Sequence, residues 1–231
     1  MKFFYPDGRK IEGDQNVAVE KFRSFYSGVY HYENWDAAIP ESLIQGILSS
    51  DALAEDDVVS ILKWKTGINT YDEETETLKA RHPIAIRDVC KKLPFDGLDL
   101  NSKGTARKRV LSDADAKALI ESLMSVCGIG ATYALTLLYF MSKGVYPIYD
   151  QFAHRVLIAV REDREIGAVV SDADLRADVA LDKAVSSWFD NYVRCFKDAI
   201  DEMFGYENYA SCRSYDQALW AYGHMFRKAR K

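Results

Sequence analysis

No C-x-x-C pair occurs in this 231-residue chain: Cys90, Cys127, Cys195 and Cys212 are scattered, and no histidine stands at metal-ligand spacing from them. That argues against a zinc site and for reduced thiols. No apolar run approaches the roughly 20 residues that cross a bilayer. Met1 to Gly13 lacks the basic-then-apolar build of a secretion signal, so a cytoplasmic protein with no membrane partner is expected. Low-complexity tracts and repeat arrays are absent too, since the recurrence of Ser-Asp-Ala-Asp at Ser112 and Ser171 marks only two similar helix starts. Nor is there an excess of positive charge. At a formal charge of -5 the chain is not built to coat nucleic acid indiscriminately, because affinity for a polyanion comes largely from neutralising phosphates.

What the chain does have is apolar mass. At 48% hydrophobic and 13% aromatic it can bury a core, as one domain or as two lobes sharing an interface. Its charge is unevenly spread: Glu41 to Glu76 is rich in acids, whereas Lys103, Arg107, Lys108 and Arg109, and later Arg227, Lys228, Arg230 and Lys231, form two basic clusters. Each cluster is a candidate phosphate-contact surface, the alternative being a solvated loop and a solvated helix end.

Pro6-Asp7-Gly8 between Lys2–Tyr5 and Arg9–Glu12 reads as a small hairpin. Everything after it reads as helical. Val17 to Tyr26, Pro40 to Leu48, Asp56 to Trp64 and Ile84 to Lys92 carry apolar residues at spacings of three and four. Ser112 is placed to cap a helix with the stripe Leu119, Ile120, Leu123 and Met124, which stops at Gly128. The next helix, Ala131 to Met141, is apolar on nearly every side and is expected at the centre of the core. Asp150 is a candidate N-cap for a segment carrying Phe152, Ala153, Val156, Leu157 and Val160. A long helix from about Asp182 to Phe204 should end at Gly205, and a capping box at Ser214 to Gln217 should open the last one. The fold class is all-α with a minor β feature.

Two stretches carry chemistry. Gly128-Ile129-Gly130 between two helices makes a tight hairpin: glycine permits positive φ and close backbone approach, while the following helix presents free N–H groups and the positive end of its dipole. That is an anion site suited to a DNA phosphate, although a plain helix connector fits the same glycines. Asp150 follows Gly130 by twenty residues, and Arg155 stands five further on. A fixed carboxylate beside a sugar stabilises the oxocarbenium charge that develops when a base-sugar bond breaks, and can orient or deprotonate the attacking water. The alternative is that Asp150 only caps a helix.

Val126 to Ala134 is similar to the pattern Leu-x-Gly-Val-Gly-x-Lys-x-Ala, and Tyr149 to Arg155 to Val-Asp-x-x-x-x-Arg. In these motifs the chain resembles the helix-hairpin-helix DNA glycosylases, the superfamily that includes endonuclease III and the adenine, oxoguanine and alkyladenine glycosylases. The match spans Leu111 to Val160, about a fifth of the sequence. The resemblance implies a two-lobed all-α fold with a small N-terminal β-hairpin: 1–95 and 166–231 would make one lobe, 96–165 the helix-hairpin-helix lobe, with a cleft between them. It further implies a monomer that flips a damaged or modified base out of double-stranded DNA and hydrolyses its glycosidic bond, in repair or against modified viral DNA. Gly128, Ile129, Gly130 and Thr132 would hold phosphate and Asp150 would be catalytic.

Two departures matter. Thr132 stands where bifunctional members carry their nucleophilic lysine, which favours a monofunctional enzyme, and the cysteines do not follow the spacing of the family's iron-sulfur cluster. No cofactor is expected beyond, at most, a monovalent cation at the hairpin. A flipped base calls for aromatic walls, for which Trp64, Trp35, Tyr146 and Tyr149 are candidates; most of the 14 tyrosines and 4 tryptophans must simply be core. Lys63 and Lys65 beside Trp64, with Arg107, Lys108 and Arg155, are candidates for the DNA backbone, although Arg155 is read first as anchoring its helix through an internal ion pair, and Lys63 and Lys65 equally fit a helix C-terminus. Two other readings stand beside the enzyme: a helix-hairpin-helix module that binds modified or distorted DNA without cutting it, and an interaction scaffold using the acidic Glu41 to Glu76 region.

Overall fold

The computed structural model describes residues 2–32, 40–68, 70–80, 82–96, 104–108, 111–161, 187–205 and 213–228. Of the residues singled out above, Trp35, Lys103, Arg109, Ser171, Asp182, Cys212, Arg230 and Lys231 lie outside these. In chain order the elements are α1 (Gln15–Tyr32), α2 (Glu41–Ser49), β1 (Ala52–Ala54), α3 (Glu55–Thr66), β2 (Tyr71–Asp72), β3 (Thr77–Leu78), β4 (Ile84–Ala85), α4 (Ile86–Cys90), β5 (Phe95–Asp96) and β6 (Thr105–Arg107). There follow α5 (Asp113–Met124), α6 (Ala131–Met141), α7 (Gln151–Arg161), α8 (Trp188–Tyr192), a π-helical segment (Val193–Lys197), α9 (Asp198–Phe204) and α10 (Ser214–Lys228). The chain is mostly helical.

It divides into two units, one continuous (Asp36–Ile148) and one made of both flanking segments (Met1–Trp35 with Tyr149–Lys231). The boundaries differ from the expected 95 and 165. Residues from Asp36 onward go with the hairpin because β1 pairs with β6 just before α5, and α3 packs on α6.

In the continuous unit, α6 is the buried centre, with every residue from Ala134 to Met141 out of solvent. Inside it, the Thr136 hydroxyl is satisfied locally by donating to the Thr132 carbonyl at 2.8 Å. Ser112 caps α5 by accepting from the Asp115 amide at 3.2 Å. Asp57 accepts from the Ala54 amide at 2.8 Å at the start of α3, and Gly67 ends that helix at φ 67°.

The expectation of helix throughout fails here. Two small antiparallel sheets, ordered β1-β6-β5 and β2-β3-β4, occupy stretches read as loop or helix, and the segment from Ile84 opens as a strand before α4 begins at Ile86. Strands of two or three residues are too short to show alternation, and cross-strand partners such as Leu78 opposite Ile84 decide them.

In the flanking unit α10 packs against α1 and α7. The first residues form the expected hairpin, with a bridge between Phe4 and Lys10 and the Ile11 amide donating to the Phe3 carbonyl at 2.8 Å. Phe3 stacks on Phe22 at 4.2 Å, Tyr222 meets Phe22 edge-on at 5.3 Å, and the Tyr26 hydroxyl donates to the Phe4 carbonyl at 2.7 Å. The capping box at Ser214 is not formed. Ser214 is the first helical residue, the Gln217 amide donates to the Arg213 carbonyl, and the Ser214 hydroxyl accepts from the Arg23 guanidinium at 3.0 Å.

The π segment has a readable cause. Trp188, Tyr192, Phe196, Ile200 and Phe204 recur every four residues and all are buried. In an α-helix of 3.6 residues per turn such a stripe drifts by about 40° per step, far enough over four steps to leave the core face. A π turn, bonded i to i+5, underwinds the helix and brings the stripe back. The helical run ends where expected, with α9 stopping at Gly205 with φ 74°.

Candidate functional site

The hairpin lies in the continuous unit. Val126 and Ile129 are buried beneath it, and the Ile129 amide donates to the Val126 carbonyl at 3.2 Å. The two glycines differ in kind. Gly128 has φ 83°, and a Cβ there would stand 2.7 Å from both the His82 carbonyl and Ile84 Cγ1, so the chain's own packing requires this glycine. Gly130 is exposed at φ -95°, and a Cβ on it would meet nothing within 4 Å. It stands at the N-cap of α6 and supplies no side-chain cap to the first-turn amides. Thr132 and Tyr133, in that first turn, are half-buried.

Asp150 lies in the flanking unit, at the N-terminal end of α7. Its Oδ1 accepts from the Phe152 amide at 2.7 Å and its carbonyl from the His154 amide at 2.9 Å, which is N-cap geometry. The residue is half-buried, and among the described residues Oδ2 has no hydrogen-bond partner. One oxygen therefore fixes the carboxylate while the other remains to act.

Several candidates fall into the core. Tyr146 is 1% exposed, and its hydroxyl donates to Asp113 at 2.6 Å; its ring is packed inside the continuous unit and is no pocket wall. Tyr149 is buried with its hydroxyl 3.0 Å from His154 Nδ1 and its ring against Phe196 at 5.0 Å, so it anchors the approach to Asp150. Trp64 is half-buried, edge-on to Phe140 at 6.4 Å. Lys65 Nζ lies 6.0 Å from the Trp64 ring centroid and Lys63 Nζ 5.3 Å from that of Tyr71, giving two cation–aromatic contacts at the end of α3. Arg107 is exposed on β6, and Arg155 places its guanidinium 5.8 Å from the centroid of Phe152.

Lys108 is the clearest correction. It is 4% exposed and its ammonium donates to the Ile47 carbonyl at the end of α2, so it closes a helix C-terminus and cannot reach DNA. Burial pushes its pKa from the ordinary 10.5 down to about 8. Between those values the unfolded chain holds a proton that the folded chain has lost, so stability rises with pH, by about 3 kcal/mol in all. From pH 9 the Cys90 thiol, pushed up by burial to about 12, opposes this rise, and above pH 10 the sign reverses, because burial pushes the Tyr26 and Tyr222 phenols up as well and the unfolded chain loses protons first. Urea midpoints should accordingly climb from pH 8 to 9, level off and drop above 10, and Lys108→Met should abolish the climb alone.

Sequence reasoning missed an aromatic group around Phe152, the residue whose amide holds Asp150. Phe152 lies against Trp220 at 5.7 Å and His224 at 5.0 Å, and these two rings stack on each other at 4.6 Å. The available signal was Gly223, a glycine inside an apolar helix. Set against family models, curated proteins and solved structures, the chain matches none of them. Among the described residues no helix is long and apolar enough to cross a membrane.

Proposed function

We propose that this chain is a monofunctional DNA glycosylase of the two-lobed helix-hairpin-helix type, which hydrolyses the glycosidic bond of a damaged or modified base in double-stranded DNA and leaves an abasic site. The observation that carries the reading is Asp150: a half-buried carboxylate with one oxygen tied to the Phe152 amide and the other unengaged among the described residues. In the reaction that second oxygen faces the sugar, stabilises its positive charge as the base departs, and orients the water that adds to the anomeric carbon. The departing base takes the electron pair of the broken bond and is protonated from solvent. The bare tip at Gly130, ahead of the uncapped α6, supplies the phosphate grip. Exposed Arg107 adds positive charge in the same unit.

The test is incubation with duplexes carrying deaminated, oxidised, alkylated and sugar-decorated bases, with released base identified by mass and abasic sites by alkali cleavage. Release from one duplex class supports the enzyme; no release with tight duplex binding leaves a non-catalytic reader of modified DNA. That second reading is favoured by the capping bond itself, which gives Asp150 a structural role without any chemistry.

The hairpin can be tested separately. Gly128→Ala forces a side chain onto the His82 carbonyl at positive φ and should destabilise the protein by about 2 to 4 kcal/mol. Gly130→Ala meets no atom, should cost no more than about 1 kcal/mol as a change of cap, and should still weaken duplex binding in a low-salt titration. Unchanged duplex affinity would remove the tip from the DNA surface.

A further inference from the structure

An N-cap residue stands outside its helix, so hydrogen bonds to the first turn hold only one side of it. Asp150 is held on that side by two: its Oδ1 accepts from the Phe152 amide at 2.7 Å and its carbonyl from the His154 amide at 2.9 Å. The other side is held by side chains. Tyr149 reaches past the cap, and its hydroxyl shares a hydrogen bond with His154 Nδ1 at 3.0 Å. Tyr149 and His154 thus close a ring of chain around Asp150, since the histidine whose side chain meets the tyrosine is also the one whose amide meets the Asp150 carbonyl. Phe196, in the π segment, backs the pair: its ring centroid lies 5.0 Å from that of Tyr149 and 5.7 Å from that of His154, to which it is edge-on at 87°.

Tyr149 is 7% exposed, and His154 and Phe196 are fully buried. Burying a phenol and an imidazole is a poorer way to fill a core than burying apolar rings, unless their polar atoms meet. What a satisfied buried pair adds over an apolar one is direction, because a hydrogen bond fixes an orientation that packing alone leaves free. The direction fixed here is that of the Asp150 backbone, and with it the oxygen that the Phe152 amide does not hold. A reacting group moved by about 1 Å loses roughly a hundredfold in rate. We propose that Tyr149 and His154, backed by Phe196, are positioning residues that clamp the Asp150 cap and aim its carboxylate, so that base release depends on a hydrogen bond touching neither base nor sugar. The proposal rests on Asp150 being the catalytic carboxylate.

Tyr149→Phe keeps the ring and deletes the hydroxyl. Amide hydrogen exchange at Phe152 and His154 is read against that at Val156 and Leu157, further along α7, which a general loss of stability would raise equally. Tyr149→Phe should speed exchange at Phe152 and His154 about tenfold beyond any change at Val156 and Leu157. In the base-release assay the same variant should slow single-turnover release about ten- to a hundredfold with duplex affinity unchanged. His154→Leu should do likewise, and His154→Asn, whose amide keeps a hydrogen-bonding atom in the place of Nδ1, should recover most of the rate. Exchange at Phe152 and His154 that stays at the wild-type rate in Tyr149→Phe overturns the clamp, as does release, on a duplex the wild type acts on, that neither Tyr149→Phe nor His154→Leu slows. If no duplex yields free base even with the wild type, but the two amides still exchange faster in Tyr149→Phe, the glycosylase reading falls and the clamp on the Asp150 cap stands.

Discussion

Asp150→Asn is expected to abolish base release while leaving both fold and duplex affinity in place. Asparagine caps a helix about as well as aspartate, so its side-chain oxygen keeps the bond from the Phe152 amide, and the stability change should stay within about 0.5 kcal/mol. What disappears is the negative charge. An amide neither stabilises an oxocarbenium ion nor takes a proton from water, and losing both should lower the single-turnover rate by about a thousandfold or more. Asp150→Ala is the complementary change: it removes cap and charge together, and should cost about 1 kcal/mol in a urea titration on top of the lost activity. If Asp150→Asn released base at the wild-type rate, Asp150 would be a cap and nothing else.

Gly223→Ala should produce the largest loss of stability. The added methyl would sit 2.2 Å from the Phe152 carbonyl oxygen and 3.0 Å from its Cα, backbone atoms that no side-chain rotation can move aside. α10 must then back away from α7. The helix preference of alanine, worth about 1 kcal/mol, does not offset that separation, and a net destabilisation of about 3 kcal/mol or more is expected, seen as a melting temperature lower by about 6 to 12 °C. Gly28→Ala is the control. Gly28 lies inside α1, and a methyl added there would meet nothing within 4 Å, so the same exchange should stabilise by about 0.5 to 1 kcal/mol.

Much of the helical frame was legible in the sequence, for physical reasons. α6 could be read to the residue because a helix apolar all round has one place to go, and Ser112 because a hydroxyl ahead of an apolar stripe has one job at an N-cap. The sheets were not legible, since a strand as short as Thr77–Leu78 is defined by its neighbours. Lys108, Tyr146 and Tyr149 misled in a common way: a polar side chain in a sequence is read as a tool for solvent or ligand, whereas each here satisfies a buried partner. Trp220 and His224 went unread because their importance comes from Gly223, and only the distance to Phe152 gives that glycine its meaning. Asp150 was placed correctly as a cap; its second oxygen is a fact of three dimensions.

The discontinuity of the flanking unit has a consequence for synthesis. Arg23 and Glu20 on α1 find Ser214 and Tyr215 on α10, 191 and 195 positions further along the chain. At translation speeds of about 5 to 20 residues per second, α1 emerges roughly ten to forty seconds before the helix it packs on. The stretch 36–148 has no such wait, because its strands and helices pair within one uninterrupted length of chain. A growing polypeptide would thus carry an already compact middle while Phe22 and Tyr26 still lack the Tyr222 ring that covers them in the finished protein. That interval, rather than any weakness of the folded state, is when this chain is most exposed to aggregation and to chaperone capture.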